Sequence, residues 1–200
     1  MKLLNSNAVL LFNSINTMII GLTGSFGAGK GCAADYLVDN KAFAHFSART
    51  FIIAEITRLG LPINRDSMIE VANNLRKEHG PTYIFQQLVG MAKDHGGNCV
   101  VESIRAVAEA RYLKEQGGVV LGIDAEPTIR YNRIVNRGSE TDNVTFDEWR
   151  NQEIRESNPD DPTKQDIFGA LKESSMIIEN DGDMDAFQQK IDEFIDRYNR

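Results

Sequence analysis

The chain is poor in the residues that several protein classes depend on. It has two cysteines, Cys32 and Cys99, too few for a disulfide framework, and both lie in stretches that read as packed. Positive charge is scarce as well: 22 lysines and arginines against 29 aspartates and glutamates leave a formal charge of −7. That balance gives no bulk attraction to DNA, RNA or an anionic membrane, so a small phosphorylated ligand held by local cations fits better than a polymer. No apolar run reaches the roughly 20 residues of a membrane helix. The stretch Leu3-Leu4 to Val9-Leu10-Leu11-Phe12 is broken by Asn5, Ser6 and Asn7, carries only Lys2 as a base, and has no small-x-small site after it, so it does not read as a signal peptide. Residues 1–17 are expected to be an N-terminal extension, with Met18 as an alternative start, and a reducing cytoplasm is the expected location. Histidine is limited to His45, His79 and His95, none in a pattern that marks a catalytic base.

What remains is an ordinary globular composition, 42% hydrophobic and 26% charged, with no repeat or low-complexity segment. It suits one α/β domain over residues 18–200 with a small mobile insertion. The most informative stretch is Gly24-Ser25-Phe26-Gly27-Ala28-Gly29-Lys30, entered through Met18-Ile19-Ile20-Gly21-Leu22-Thr23 and left through Gly31-Cys32-Ala33-Ala34-Asp35-Tyr36-Leu37. The order is strand, glycine loop, helix. Glycines let backbone N–H groups turn inward around phosphate oxygens, and the helix that follows points its positive end at them. Lys30 adds a mobile point charge for the β- and γ-phosphates. The pattern G-x-x-x-x-G-K is complete, but Gly31 stands where a Ser or Thr would ligate magnesium directly. Cys32 reads as a small packed helix residue.

Along the rest of the chain, residues 42–47 read as a short second strand. A helix carrying Phe51, Ile52, Ala54 and Ile56 stops near Gly60-Leu61-Pro62, Asp66 is the expected N-cap of a helix from Ser67 to His79, and a further helix runs to about Asp94. Together these three helices form an insertion whose length suggests an acceptor-binding arm. Asn98-Cys99-Val100-Val101-Glu102-Ser103-Ile104-Arg105 reads as a buried strand ending in an acid, then a turn and an arginine. An acid at that edge can hold magnesium through water or orient the attacking oxygen, and ligands of open α/β sheets collect there. A fourth strand, Val119 to Ala125, leads into a helix opened by Glu126-Pro127. On that helix Arg130, Arg133 and Arg137 share one face, the arrangement a developing phosphoryl charge requires. Residues 138–145 read as a short mobile lid, flanked by a helix with Arg150 and Arg155. A fifth strand, Ser175 to Asn180, precedes a final amphipathic helix whose stripe of Phe187, Ile191, Phe194, Ile195 and Tyr198 is core. The alternation predicts a mostly parallel sheet covered on both faces.

In the segments Gly21 to Lys30, Val100 to Arg105 and Arg133 to Arg137, the chain resembles the P-loop nucleotide kinase superfamily of adenylate, deoxynucleotide and dephospho-coenzyme A kinases. The resemblance runs from Met18 onward. It implies a P-loop NTPase three-layer sandwich with strand order 2-3-1-4-5, an acceptor-binding arm at about 47–95 and a lid at about 137–149. It implies ATP and Mg2+ as cofactors, the metal bound largely through water with Glu102 behind it, since glycine also follows the lysine in adenylate kinases. By the same likeness residues 24–32 hold the nucleotide, and Lys30, Glu102, Arg105, Arg133 and Arg137 carry the transfer. The chain departs from adenylate kinases after the second strand: Ser47-Ala48-Arg49-Thr50 replaces Ser-Thr-Gly-Asp, and Ile53 occupies the place of the acceptor-gripping arginine, leaving Arg49, Arg58 or Arg76 to substitute. The expectation is an ATP-dependent phosphotransferase, monomeric or homodimeric, acting on a small nucleotide-like acceptor. Dephospho-coenzyme A kinase activity is the alternative, and an ATP-binding regulatory module is the rival of another class.

Overall fold

Strand β1 (Ile19–Gly24) is buried along its whole length, because Ile20 and Leu22 point into one core and Ile19 into another. A strand apolar on both faces belongs in the middle of a covered parallel sheet. In the computed structural model, which describes residues 17–138, 144–161 and 164–198, β1 is the central strand. It pairs in parallel with β3 (Cys99–Ile104) on one side and β4 (Val119–Asp124) on the other. Strands β2 (Ala44–Phe46) and β5 (Met176–Glu179) close the edges, giving the order β2-β3-β1-β4-β5. Every pairing is parallel, as the alternation of strands and helices required.

Helices α1 (Lys30–Lys41) and α9 (Met184–Tyr198) cover one face through Ala33, Ala34, Leu37, Phe187, Ile191 and Phe194. The other face is covered by α4 (Tyr83–His95), α5 (Val107–Glu115) and α8 (Ile167–Lys172). Helices α2 (Ala48–Arg58) and α3 (Arg65–His79) lean on α4 around a smaller core of Ile52, Ile56, Val71, Ala72 and Ile84. The three helices of residues 47–95 are therefore not alike. Phe85, Leu88, Val89 and Ala92 of α4 share the core of the sheet, and only α2 and α3 project beyond it.

Some local expectations change. The N-cap of α3 is Asn64, whose extended backbone lets its Oδ1 accept from the Ser67 N–H at 2.9 Å, while Asp66 already lies in the first helical turn. Strand β3 does not end at Glu102. It continues to Ile104 through Ser103, whose φ of 78° is left-handed, and the pairing register with β1 slips between Gly21 and Thr23 at that point. After β4, α6 (Pro127–Arg137) starts on its proline, and α7 (Phe146–Arg155) is opened by Thr145, which exchanges bonds with Glu148. Of the expected lid, residues 139–143 lie outside the described residues, as do 1–16 of the expected extension. Beyond residue 143, Trp149 of α7 is 2% exposed and packs against Tyr131 and Phe146.

Candidate active site

The glycines of the loop are fixed by crowding as much as by torsion. Gly24, Gly27 and Gly29 have φ of 142°, 76° and 110°. A Cβ on them would strike, respectively, the carbonyls of Ile123 and Arg130 and the side-chain amide of Asn180. The loop therefore lies flat against the end of β4 and the start of α6. Gly31 is different, since a side chain there would meet nothing within 4 Å. Lys30 opens α1 and folds back so that its Nζ donates to the carbonyls of Gly24 at 2.7 Å and Ser25 at 2.9 Å. Burial, with Arg105 nearby, pulls its pKa down from 10.5 to about 8, against the opposing pull of Glu156 and Glu102. The Ser25 hydroxyl is buried without a partner, and the N-cap position of α1, Gly29, offers no side-chain acceptor to the first-turn amides. An unfilled set of donors around a buried ammonium suits phosphate oxygens. For a metal the fit is weaker: among the described residues no group of three or more His, Cys, Asp or Glu is placed to hold one. Magnesium would rely on the phosphates themselves, with Glu102 acting through water.

Arg105 is brought to the loop from the far side of β1. Its backbone N–H donates to Glu109 at 2.8 Å and its carbonyl accepts from the Asp166 N–H at 2.8 Å. The guanidinium thus stands 5.9 Å from the centre of the Phe26 ring. Burial pushes the Glu109 carboxyl up, and its bonds from the Arg105 and Ala106 amides pull the other way. Lys30, Glu102 and Arg105 therefore sit together, as expected. Two groups not anticipated join them. Glu156, at the end of α7, lies 3.9 Å from Arg105 Nη1 with its Oε2 buried and without a hydrogen bond, and burial raises its pKa. His45 Nε2 lies 3.2 Å from Glu102 Oε2.

The arginines of α6 have different surroundings. Arg130 is 4% exposed, pairs with Glu153, donates to the Ala125 carbonyl at 2.8 Å and stacks on Trp149 at 4.9 Å. It braces α6 against α7, with no charge left for a ligand. Arg133 donates to the Asn180 carbonyl at 2.8 Å, and Asn180 in turn donates to Ala28 of the loop at 2.8 Å. Arg137 is exposed at the end of α6. Cys32 is exposed, which corrects the packed reading; Cys99 is buried as expected. The reason is geometric, since residues 33, 34 and 37 form the inward stripe of α1 and residue 32 falls outside it.

Beside this edge opens a cleft of about 630 Å³ whose walls include Arg49, Arg76, Glu102, Arg105, Arg155 and Glu156. Of the three candidate replacements for the missing arginine, Arg49 and Arg76 reach it, whereas Arg58 is held by Glu55 at 2.8 Å on the surface. A second, more apolar hollow of about 580 Å³, walled by Ile63, Met68, Ile69 and Ala72, shares Arg49 and Arg76 with it. No sequence signal marked Glu156 or Glu109, because each acquires its neighbours through tertiary packing.

The chain matches the family described as AAA domain over residues 20–157. It is 26% identical over 186 residues to a UPF0200 protein of Methanosarcina barkeri, covering 91% of this chain and 96% of that protein. It is 27% identical over 196 residues to a UPF0200 protein of Pyrococcus horikoshii, covering 90% and 97%. In fold it is similar to a shikimate kinase from Bacteroides thetaiotaomicron, with a TM-score of 0.56 at 15% identity over 90% of this chain and 98% of that one. The five-stranded, all-parallel 2-3-1-4-5 sheet has a kinase-like P-loop fold, and the chain belongs to the AAA domain family.

Proposed function

We propose that this protein is an ATP-dependent phosphotransferase acting on a small, anionic, nucleotide-like acceptor. The observation that carries it is the adjacency of two unlike sites. The glycine loop around Lys30 abuts, through Glu102 and Arg105, a cleft lined by Arg49, Arg76 and Arg155 from three different helices. Arg49, Arg76 and Arg155 have no ion pair or side-chain hydrogen bond among the described residues, although Arg76 lies within electrostatic reach of Glu109 in the same cleft, which leaves them able to meet an anionic ligand. The neighbouring apolar hollow supports an acceptor with a flat apolar part and a charged end.

In this reading Lys30 and the loop amides bind the donor phosphates, and Arg105 neutralises charge on the group in transit. ATP, with magnesium, supplies the phosphoryl group. Glu102 would hold magnesium through water or orient the attacking oxygen. Arg49 and Arg76 hold the acceptor's anionic end and fix its distance from the donor. Arg133 serves the donor side through Asn180 and the loop. The net charge of −7 supports a small molecule over a nucleic acid as partner, and among the described residues no helix is long and apolar enough to cross a membrane.

The test is ADP formation by the purified chain with Mg-ATP, screened against ribo- and deoxynucleoside monophosphates and dephospho-coenzyme A, with products identified by chromatography. Stimulated turnover with one acceptor supports the reading and names the substrate. ATP binding without transfer to any acceptor favours the regulatory module instead.

A further inference from the structure

Strands β2 and β3 run parallel with His45 opposite Val100. Residues alternate in direction, so Glu102 lies on His45's side of the sheet, two positions further toward the site. There Nε2 of His45 stands 3.2 Å from Oε2 of Glu102, with the two side chains 38% and 27% exposed. A pair this open to water adds little to stability, and neither residue belongs to any of the three cores. Beyond this contact the Glu102 side chain has no hydrogen bond or ion pair among the described residues, so one carboxylate oxygen faces the imidazole and the other is available. The other charges gathered here are Lys30 of α1, Arg105 after β3 and Glu156 at the end of α7, and Glu102 lines the cleft that Arg49 and Arg76 also line.

A carboxylate fixed in that place is ill suited to a phosphate acceptor. A phosphate monoester with a second pKa of about 6 is mostly dianionic at neutral pH, has no proton to give up, and would be repelled. A hydroxyl has a proton that must leave as its oxygen bonds to phosphorus. Building on the phosphotransferase reading, we propose that His45 is the positioning residue of Glu102, and that the acceptor reacts through a hydroxyl while its anionic group is held elsewhere, by Arg49 and Arg76. In the step, the hydroxyl oxygen forms a bond to the γ-phosphorus and the bond from that phosphorus to the β–γ bridging oxygen breaks. The electron pair leaves with ADP, and the hydroxyl proton passes to the free oxygen of Glu102. The imidazole Nε2, 3.2 Å from the other oxygen, is placed to hold the carboxylate rotamer and its negative charge until the proton arrives.

The experiment uses the full chain with Mg-ATP and a panel of 5′-nucleotides, each paired with its 2′,3′-dideoxy analogue, together with phosphorylated and carboxylated hydroxy compounds. Product linkage is read by phosphorus NMR. A phosphomonoester product, and no transfer to dideoxy analogues, is expected. A phosphoanhydride formed equally with the dideoxy analogues overturns this inference and leaves the kinase reading standing. Failure to transfer to any acceptor overturns both. On the productive acceptor, His45→Ala lowers kcat at least tenfold with KM for ATP unchanged, and His45→Gln, which keeps an N–H donor, recovers most of it; equal losses in the two variants contradict the positioning role. In the nucleotide-free protein the ring nitrogen resonances of His45 move in Glu102→Ala, and resonances that stay in place contradict the pairing.

Discussion

Arg130 of α6 and Glu153 of α7 form an ion pair with side chains only 5% and 8% exposed. Asp124 reaches the same guanidinium at 3.4 Å and Trp149 lies against it. The pair ties the helix before the expected lid to the helix after it. Removing Glu153 leaves the buried Arg130 charge to the more exposed Asp124 alone, which costs several kcal/mol, whereas an intact buried pair adds little net stability. Glu153→Ala is therefore expected to lower unfolding stability by about 3 kcal/mol. Chemical denaturation followed by tryptophan fluorescence checks this, since Trp149 is the single tryptophan and packs on Arg130. A loss within error of zero would show that the pair does not hold the two helices.

Lys30 supports two pH dependences of opposite sign. Its folded pKa of about 8 lies below the ordinary 10.5, so between those values the unfolded chain holds a proton that the folded chain has released. Stability attributable to this group rises with pH across that window and is absent below it. Binding of an anionic donor requires the protonated amine, so affinity for Mg-ATP falls as pH rises through about 8. Titration calorimetry from pH 7 to 10 is expected to show that fall in the natural protein and a flatter profile in Lys30→Arg. Replacing the charge altogether, in Lys30→Ala, should cut transfer by at least ~100-fold with the fold kept; unchanged turnover would remove the loop from the mechanism.

Ser103 holds a left-handed φ of 78° between Glu102 and Ile104, where the β1–β3 register slips. Such a conformation costs a non-glycine residue roughly 1–2 kcal/mol. Ser103→Gly is expected to raise unfolding stability by about 0.5–1 kcal/mol, part of the relief being offset by the freer unfolded chain. Thermal denaturation reads it, and a destabilised variant would mean that the hydroxyl, not the torsion, matters at this position.

Arg76 and Arg58 form a matched pair of controls. Arg76 lines the cleft and Arg58 is spent on Glu55 at the surface. Arg76→Ala is expected to raise the acceptor's KM about tenfold, the scale of one charge-assisted bond of ~1.5 kcal/mol, with KM for ATP unchanged. Arg58→Ala should leave both constants within twofold. The reverse pattern would move the acceptor to the outer face of α2.

The sequence by itself determined the sheet and the glycine loop. Both are written in local patterns: apolar strands buried on two faces, glycines at fixed offsets, and a lysine at the head of a helix. Backbone torsion and short-range periodicity decide such features, so Gly24, Gly27, Gly29 and Lys30 were legible without a structure, as was the core stripe of α9. Only the tertiary structure decided what the charged side chains do. Arg130, Arg133 and Arg137 share a helical face, yet Glu153 claims the first and the Asn180 carbonyl the second. His45 is unremarkable in sequence and becomes a partner of Glu102 only because β2 lies beside β3 in a particular register. Glu156 reaches Arg105 from 51 positions away. A charge acts through whatever stands within a few ångströms of it, and for these residues that neighbour comes from a distant part of the chain, which spacing along the sequence does not record.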